Sequence, residues 1–297
     1  MASAKYYGTG RRKKITNRKI IVNNNPNNSF ITFLYQTAAG RMILKGIMKS
    51  GVLKAAEKYA KSESSKPLIP WFISENKIDM TEYGNYSYHS YAEFFSRQKL
   101  KKYSKTDFSD KHLISPCDGF LSAYRLSDDS SFAIKGSRYR VSDLLNDSEL
   151  AKRFKNGICL VFRLEARDYH RYCYIDDCYQ HDSHYIEGEL HSVQPIALEN
   201  YPVFALNRRL WNLLETKNFG PIVQTEIGAL LVGGFSNNHP NGHFIKGEEM
   251  GRFELHGSTI TLLIEKNRIE LIDNLEAAFK HEIKVRQGEW IASAINQ

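Results

Sequence analysis

The chain has 297 residues, 42% hydrophobic and 12% aromatic, and carries a formal net charge of +8. A chain of this length and apolar content buries a full core, which excludes collagen-like, mucin-like and disordered classes. Four cysteines are too few for a disulfide scaffold, and no stretch reaches the roughly 18 apolar residues that a membrane-spanning helix needs.

The charge is concentrated at one end. Residues 1–56 hold 11 Lys and Arg and no Asp or Glu, which leaves 30 basic and 33 acidic residues in the other 241. The basic excess therefore belongs to an N-terminal arm on a mildly acidic body, the footprint of a segment that meets an anionic surface. No apolar core follows the first charges as it does in a secretory signal, so the expected compartment is the reducing cytosol.

Residues 1–28 are basic and then Asn-rich, and read as a loose arm. Over 29–60 the apolar residues recur at helical spacing. Leu34, Ala38 and Met42 share one face, while Arg41, Lys45, Lys49 and Lys54 supply cations. Gly40, Gly46 and Gly51 predict breaks and hence two shorter helices. A purely basic amphipathic segment suits a membrane surface; packing on its own domain is the plainer reading, and the two are compatible. The expected division is a basic amphipathic membrane-associating segment, 1–60, and a main domain, 61–297.

"SESSKPLIP" (62–70) reads as a linker or sharp turn, and "YHSYAEFFSRQKL" (88–100) as a short amphipathic helix. From about 111 the pattern changes to short strands with turns: "HLISPCDGFLSAYRL", "SFAIKGSRYRV", "GICLVFRL", "ELHSVQPIA", "IVQTEIGALLVGGF" and "ITLLIEKNRIELI". "RRLWNLLETKNFG" is read as half of a hairpin, because Asn218-Phe219-Gly220 is turn chemistry, and "NLEAAFK" as a short helix. The predicted fold is α+β: a β-rich antiparallel, sandwich-like or barrel-like domain with N-terminal amphipathic helices.

Chemistry gathers at "ISPCDGF" with Asp118, "RDYHRYC" with His170, "GELHSVQP" with His191, "KGEEMGRF" and "HGST" with Ser258. Asp, His and Ser are the ingredients of an activated hydroxyl: the carboxylate orients the imidazole, the imidazole takes the proton, and the oxygen attacks a carbonyl. In "FELHGSTITLLIEK" the turn-like Gly257-Ser258-Thr259 runs straight into an apolar strand pattern, an unusual place for a nucleophile. "CYIDDCYQHDSH" gathers Cys173, Cys178, His181 and His184, but not at the spacing zinc usually takes, and no metal is expected.

These blocks, with "SYAEFFSRQKL", "ENYPVFALNRRL" and "KGEEMGRFELHGSTITLLIEK" in the same order, resemble the pyruvoyl-dependent phosphatidylserine decarboxylase family from about residue 88 to the C terminus. The resemblance implies a proenzyme that cuts itself between Gly257 and Ser258 by an N-to-O acyl shift. It would leave a β chain, 1–257, and a 40-residue α chain, 258–297, associated without a covalent link. Ser258 would become the pyruvoyl cofactor, which forms a Schiff base with phosphatidylserine and releases phosphatidylethanolamine. Asp118, His170 and Ser258 take the catalytic roles. The family's pattern DYHRxH has its second histidine replaced here by Cys173, so His170 is the first choice for the relay base and His191 the second. His256, where Leu or Gly commonly precedes Gly-Ser-Thr, reads as an ordinary strand residue. The implied partners are phosphatidylserine and an anionic membrane surface, with peripheral attachment to the cytoplasmic face. Nucleic acid is not expected, because the arm matches no recognition fold. Two alternatives stand beside this: a pyruvoyl-dependent decarboxylase of a free amino acid, and an uncleaved, inactive membrane-binding homologue.

Overall fold

The computed structural model describes residues 29–49, 51–84, 86–134, 137–229, 234–255 and 258–295, without the side chains of 29, 30, 49 and 195. The basic arm 1–28 and the residues His256 and Gly257 lie outside the described residues.

The amphipathic segment forms α1 (Ser29–Gln36), α2 (Ala38–Lys49) and α3 (Val52–Ala60), three helices where two were expected. The first break falls at Thr37, whose hydroxyl accepts the Gly40 N–H at 2.9 Å. Gly40 lies inside α2 instead of ending a helix. A Cβ there would stand 2.0 Å from the Phe33 carbonyl oxygen, so the missing side chain allows α1 and α2 to cross closely. The expected linker at 62–70 is also helical. A short 3-10 turn, Glu63–Ser65, leads into α4 (Leu68–Asn76), preceded by Pro67. Proline is tolerated at a helix start because the N–H it lacks has no intrahelical partner there. The expected helix near 88–100 is α5 (Tyr91–Phe95), capped by Ser90 Oγ, which accepts the Glu93 N–H at 3.2 Å.

The first strands are β1 (His112–Ile114), β2 (Gly119–Arg125), β3 (Ser131–Ile134) and β4 (Ser137–Arg140), followed by α6 (Val141–Leu145) and α7 (Ser148–Ala151). Then come β5 (Ile158–Leu164), β6 (Arg171–Cys173), β7 (Cys178–Gln180) and β8 (His184–Ile186). The stretch "ELHSVQPIA" is not a strand: a loop carries His191 into α8 (Pro195–Asn200), because Pro195 sits at the first helical turn. After α9 (Val203–Leu206), the expected hairpin is β9 (Arg209–Thr216) and β10 (Gly220–Ile227), with Gly220 at φ 70° in the turn. The chain ends with β11 (Phe235–Asn237), β12 (Gly242–Phe244), β13 (Glu249–Phe253), β14 (Ser258–Ile264), β15 (Ile269–Leu271), a 3-10 helix at Asp273–Phe279, β16 (Ile283–Val285) and β17 (Trp290–Ala294).

The class is α+β, and the strand ladders are antiparallel. The main sheet runs β12-β7-β9-β10-β14-β5-β2-β16, with β8 also on β9. Its two ends do not meet, so it is an open sheet and not a barrel. Side chains alternate across it. Leu121, Leu160, Phe162, Ile260 and Leu262 pack with the small sheets β1-β17-β15 and β11-β13-β6 on one face. Val161, Val223, Ile227 and Leu263 pack with Leu34 and Tyr35 of α1, and with α6 to α9, on the other. A smaller cluster joins Ala60, Phe72, Phe94 and Phe95 to Leu255. The helices therefore approach the chain just upstream of residue 258.

Candidate active site

β14 lies between β5 and β10, and all seven of its residues are buried, which explains the uninterrupted apolar run. Ser258 is its first residue and pairs with Leu164; Thr259 pairs with Arg163 on one side and Ile227 on the other. By alternation Ser258 shares the face of Ile260 and Leu262. Its Oγ is fully buried and has no hydrogen-bond partner among the described residues. Leaving a polar atom so costs on the order of 1–3 kcal/mol, and such atoms in native folds call for an explanation.

Asp118 stands at the same end of the sheet. Phe120, Arg163 and Thr259 form one row across β2, β5 and β14; one step on lie Gly119, Leu164 and Ser258. Asp118 is the next residue, two strands from Ser258, a distance on the order of 10 Å at about 4.8 Å per strand. Gly119 permits this approach, since a Cβ there would lie 2.9 Å from the Arg163 carbonyl oxygen. The Asp118 carboxylate accepts from Lys99 Nζ at 2.7 Å and from the Gln287 N–H at 2.8 Å.

His170 is fully buried, with its ring 4.0 Å from that of Phe95. Its Nδ1 lies 2.9 Å from the Asp168 carbonyl oxygen. A carbonyl only accepts, so Nδ1 carries the proton and Nε2 is the basic nitrogen of the neutral ring. The preceding turn is anchored twice: Arg97 donates to the carbonyls of Arg167 and Asp168, and the Asp168 carboxylate takes Lys284 and the Glu165 N–H. The His170 carbonyl accepts the Phe253 N–H at 2.9 Å, which sets this residue beside the segment leading to Ser258.

His191 is placed differently. Both ring nitrogens are engaged: Nε2 with Glu189 at 2.6 Å and Nδ1 with the Tyr35 hydroxyl of α1 at 3.3 Å, while the ring stacks on Tyr201. Burial lowers its pKa, and Glu189 opposes that shift. Its backbone reaches the site end through Asn207, whose Nδ2 donates to the carbonyls of His191 and of Gly228, the residue after Ile227. Cys173 is buried with its Sγ toward the Ser115 carbonyl, and burial, with the charge of Asp118, pushes its thiol up to about 12. A thiol held neutral in this way accepts no proton at neutral pH.

Of the other three residues in "CYIDDCYQHDSH", Cys178 is buried in β7, His181 is exposed and His184 stacks on Trp211 at 3.9 Å. Among the described residues no group of three or more His, Cys, Asp and Glu is set to hold a metal ion.

Several site groups escape sequence reasoning. Arg97 and Lys99 stand within "SYAEFFSRQKL" and Lys284 and Gln287 near the C terminus, and nothing local in either stretch shows that they meet Asp168 and Asp118. Glu226 is a fully buried carboxyl on the face of β10 that adjoins Ile260. One of its oxygens accepts from Gln224 Nε2 at 2.8 Å; the other has no partner among the described residues. Burial pushes this carboxyl up to about 7. The only hint in the sequence is a charged residue within an apolar strand.

Fold and site together define an α+β protein with a buried serine and an aspartate two strands apart at one end of an open antiparallel sheet, and a buried histidine bonded through its backbone to the segment leading to that serine. The family profile described as phosphatidylserine decarboxylase matches residues 91–293. The chain is 42% identical over 269 residues to phosphatidylserine decarboxylase proenzyme 2 of Clostridium acetobutylicum, covering 89% of this chain and 91% of that one. It is 37% identical to the phosphatidylserine decarboxylase proenzyme of Clostridium kluyveri (88% and 91% covered) and 34% to that of Clostridium botulinum Alaska E43 (90% and 93%). The chain belongs to the phosphatidylserine decarboxylase family, a family of carboxy-lyases in phospholipid metabolism.

Proposed function

We propose that this chain is a proenzyme that severs its own Gly257–Ser258 bond and, once processed, decarboxylates phosphatidylserine to phosphatidylethanolamine. The observation that carries the reading is the Ser258 hydroxyl, fully buried and unpartnered among the described residues at the head of a central strand. Attack of Oγ on the Gly257 carbonyl exchanges an amide for an ester. Loss of the Ser258 α-proton then expels the Gly257 carboxylate, and water converts the remaining dehydroalanine to a pyruvoyl group with release of ammonia.

His170 is the proposed base, through Nε2, and Asp118 the carboxylate whose charge favours the imidazolium. His191 is read as a positioning residue, since both its ring nitrogens are engaged. The pyruvoyl ketone supplies an electron sink as carbon dioxide leaves. The chain's own part is to hold the substrate, keep water out and return a proton, for which His170 is again proposed. After cleavage the α chain stays in place by strand pairing: β14 bonds to β5 and β10, β16 to β2, and β17 to β1.

The reading includes peripheral attachment to the cytoplasmic face of a membrane. No helix among the described residues is long and apolar enough to cross one. Support comes from Met42 (77% exposed), Trp71 (62%), Ile43, Val52 and Tyr59, which project from α2, α3 and α4 beside Lys45, Lys54 and Lys58. Each lysine or arginine near an anionic leaflet contributes on the order of 1 kcal/mol.

The test is mass spectrometry of the purified chain with carbon dioxide release from phosphatidylserine vesicles. Expected are fragments 1–257 and 258–297, the second with a keto-acyl terminus. An active sample whose chain is intact overturns the reading, and faster release from free amino acids than from vesicles moves it to the alternative substrate class.

A further inference from the structure

A cleft beside the site is built on two strands that bring like charges face to face. Arg252 of β13 pairs with Arg171 of β6, and like charges directly opposite one another destabilise a ladder. Arg171 is partly neutralised by Glu249 at 2.8 Å. The Arg252 guanidinium, unlike its backbone, makes no hydrogen bond or ion pair to any described residue. A third guanidinium, Arg97, is 1% exposed, donates to the carbonyls of Phe95, Arg167 and Asp168, and lies over the rings of Tyr83 and Phe94 at 4.5 and 5.1 Å; its Nε has no acceptor among the described residues. No carboxylate cancels its charge.

With Lys61 from the end of α3, these three line a cleft of about 560 Å³ against two carboxylates, Glu93 and Glu254. Lys61 is already paired with Glu254 at 2.8 Å, and Glu93 is turned to the His89 N–H. The uncancelled positive charge of the cleft therefore rests on Arg97 and Arg252. A second, larger cleft holds Lys99, Lys105, Lys284 and Arg286, but Lys99 is paired with Asp118, Lys284 with Asp168, and Arg286 is 3.8 Å from Glu82. That leaves it one uncancelled cation, the exposed Lys105, and no uncancelled guanidinium fork.

Position favours the first cleft as well. Arg171 follows His170 in the chain, and Arg252 and Glu254 lie on the segment that leads to Ser258. On its other side, Lys61 continues α3, which with α4 displays the exposed Tyr59 and Trp71. A ligand in this cleft therefore touches both the end of α3 and the strand segment that leads in sequence to Ser258.

We infer that this cleft seats a phosphodiester anion, with Arg252 as its main partner and Arg171 and Arg97 flanking it. A planar guanidinium fork with unused donors matches phosphate oxygens two at a time. The inference rests on the proposed lipid substrate for its source, a glycerophospholipid headgroup, and it makes the phosphate, not the serine, the part of the substrate read by arginine.

The experiment titrates water-soluble glycerophosphoserine into the purified full-length chain and follows binding by calorimetry, with inorganic phosphate and free serine as competitors. The wild-type chain binds, Arg252→Ala weakens binding at least tenfold, and Arg252→Lys gives an intermediate loss; phosphate competes and serine does not. Equal binding by Arg252→Ala at an unchanged unfolding temperature overturns the inference, as does competition by serine alone. Phosphate bound more tightly than glycerophosphoserine overturns the lipid assignment. Should the alanine variant not fold, Arg252→Gln carries the same comparison. The readout is binding, so a chain with no decarboxylase activity still reports on the cleft, and the two readings fail separately.

Discussion

Asp118 and Lys99 meet at 2.7 Å, both nearly buried, and the same carboxylate takes the Gln287 N–H. The aspartate at the head of β2 is therefore held by a lysine from the segment after α5 and by a backbone donor from between β16 and β17. Removing one partner of such a pair leaves a charge in poor solvent. Lys99→Met is expected to lower stability by about 1–3 kcal/mol and to slow processing. Urea unfolding and the rate of appearance of the 258–297 fragment check both.

The serine proposal makes a sharper prediction. Ser258→Ala is expected to remain full-length on denaturing electrophoresis, while Ser258→Cys or Ser258→Thr cleaves slowly. A Ser258→Ala chain still split after residue 257 would show that the hydroxyl is not the nucleophile.

The two histidines separate by what their rings touch. His170→Ala is expected to block processing. His191→Ala is expected to loosen α1, because Tyr35 loses its ring partner, and to leave slow cleavage in place. Tyr35→Phe should reproduce part of that loss of stability. If only His191→Ala blocks processing, the assignment of the base is reversed.

Glu226 predicts a pH dependence. Burial raises its carboxyl from 4.5 to about 7, so the folded chain keeps a proton that the unfolded chain releases. Stability on this account falls as pH rises from 4.5 toward 7 and levels off above 7, by up to about 3 kcal/mol for a shift of this size. Glu226→Gln should flatten that part of the unfolding profile and raise stability near pH 8. An unchanged slope would place the titration elsewhere.

Membrane attachment is tested on anionic vesicles. Replacing Met42 and Trp71 by serine is expected to weaken vesicle binding several-fold without altering processing, because both side chains project into solvent. Raising salt should weaken the wild type too, since exposed charges are screened within about 10 Å at 0.1 M.

Much of this protein was legible in the linear chain because its signals are local. Alternation and turn residues marked the β9–β10 hairpin, and the run after Thr259 marked β14. The ordered blocks carried the family and named Asp118, His170 and Ser258 as the candidates for its site. Where local signals misled, packing had decided. Gly40 looked like a helix break and is a crossing point; Pro67 and Pro70 looked like a linker and open a helix; "ELHSVQPIA" alternated like a strand and is a loop running into α8.

The covalent order of residues determined which side chains this chain possesses and where its backbone prefers to bend, since propensity and spacing act over a few positions. Only the tertiary structure decided which distant groups share a dielectric environment: Lys99 with Asp118, Tyr35 with His191, Arg252 facing Arg171, and Glu226 buried on the sheet face of Ser258. Coulomb and desolvation energies depend on separation in space and on exclusion of water, and neither quantity is written along a chain until its strands have paired.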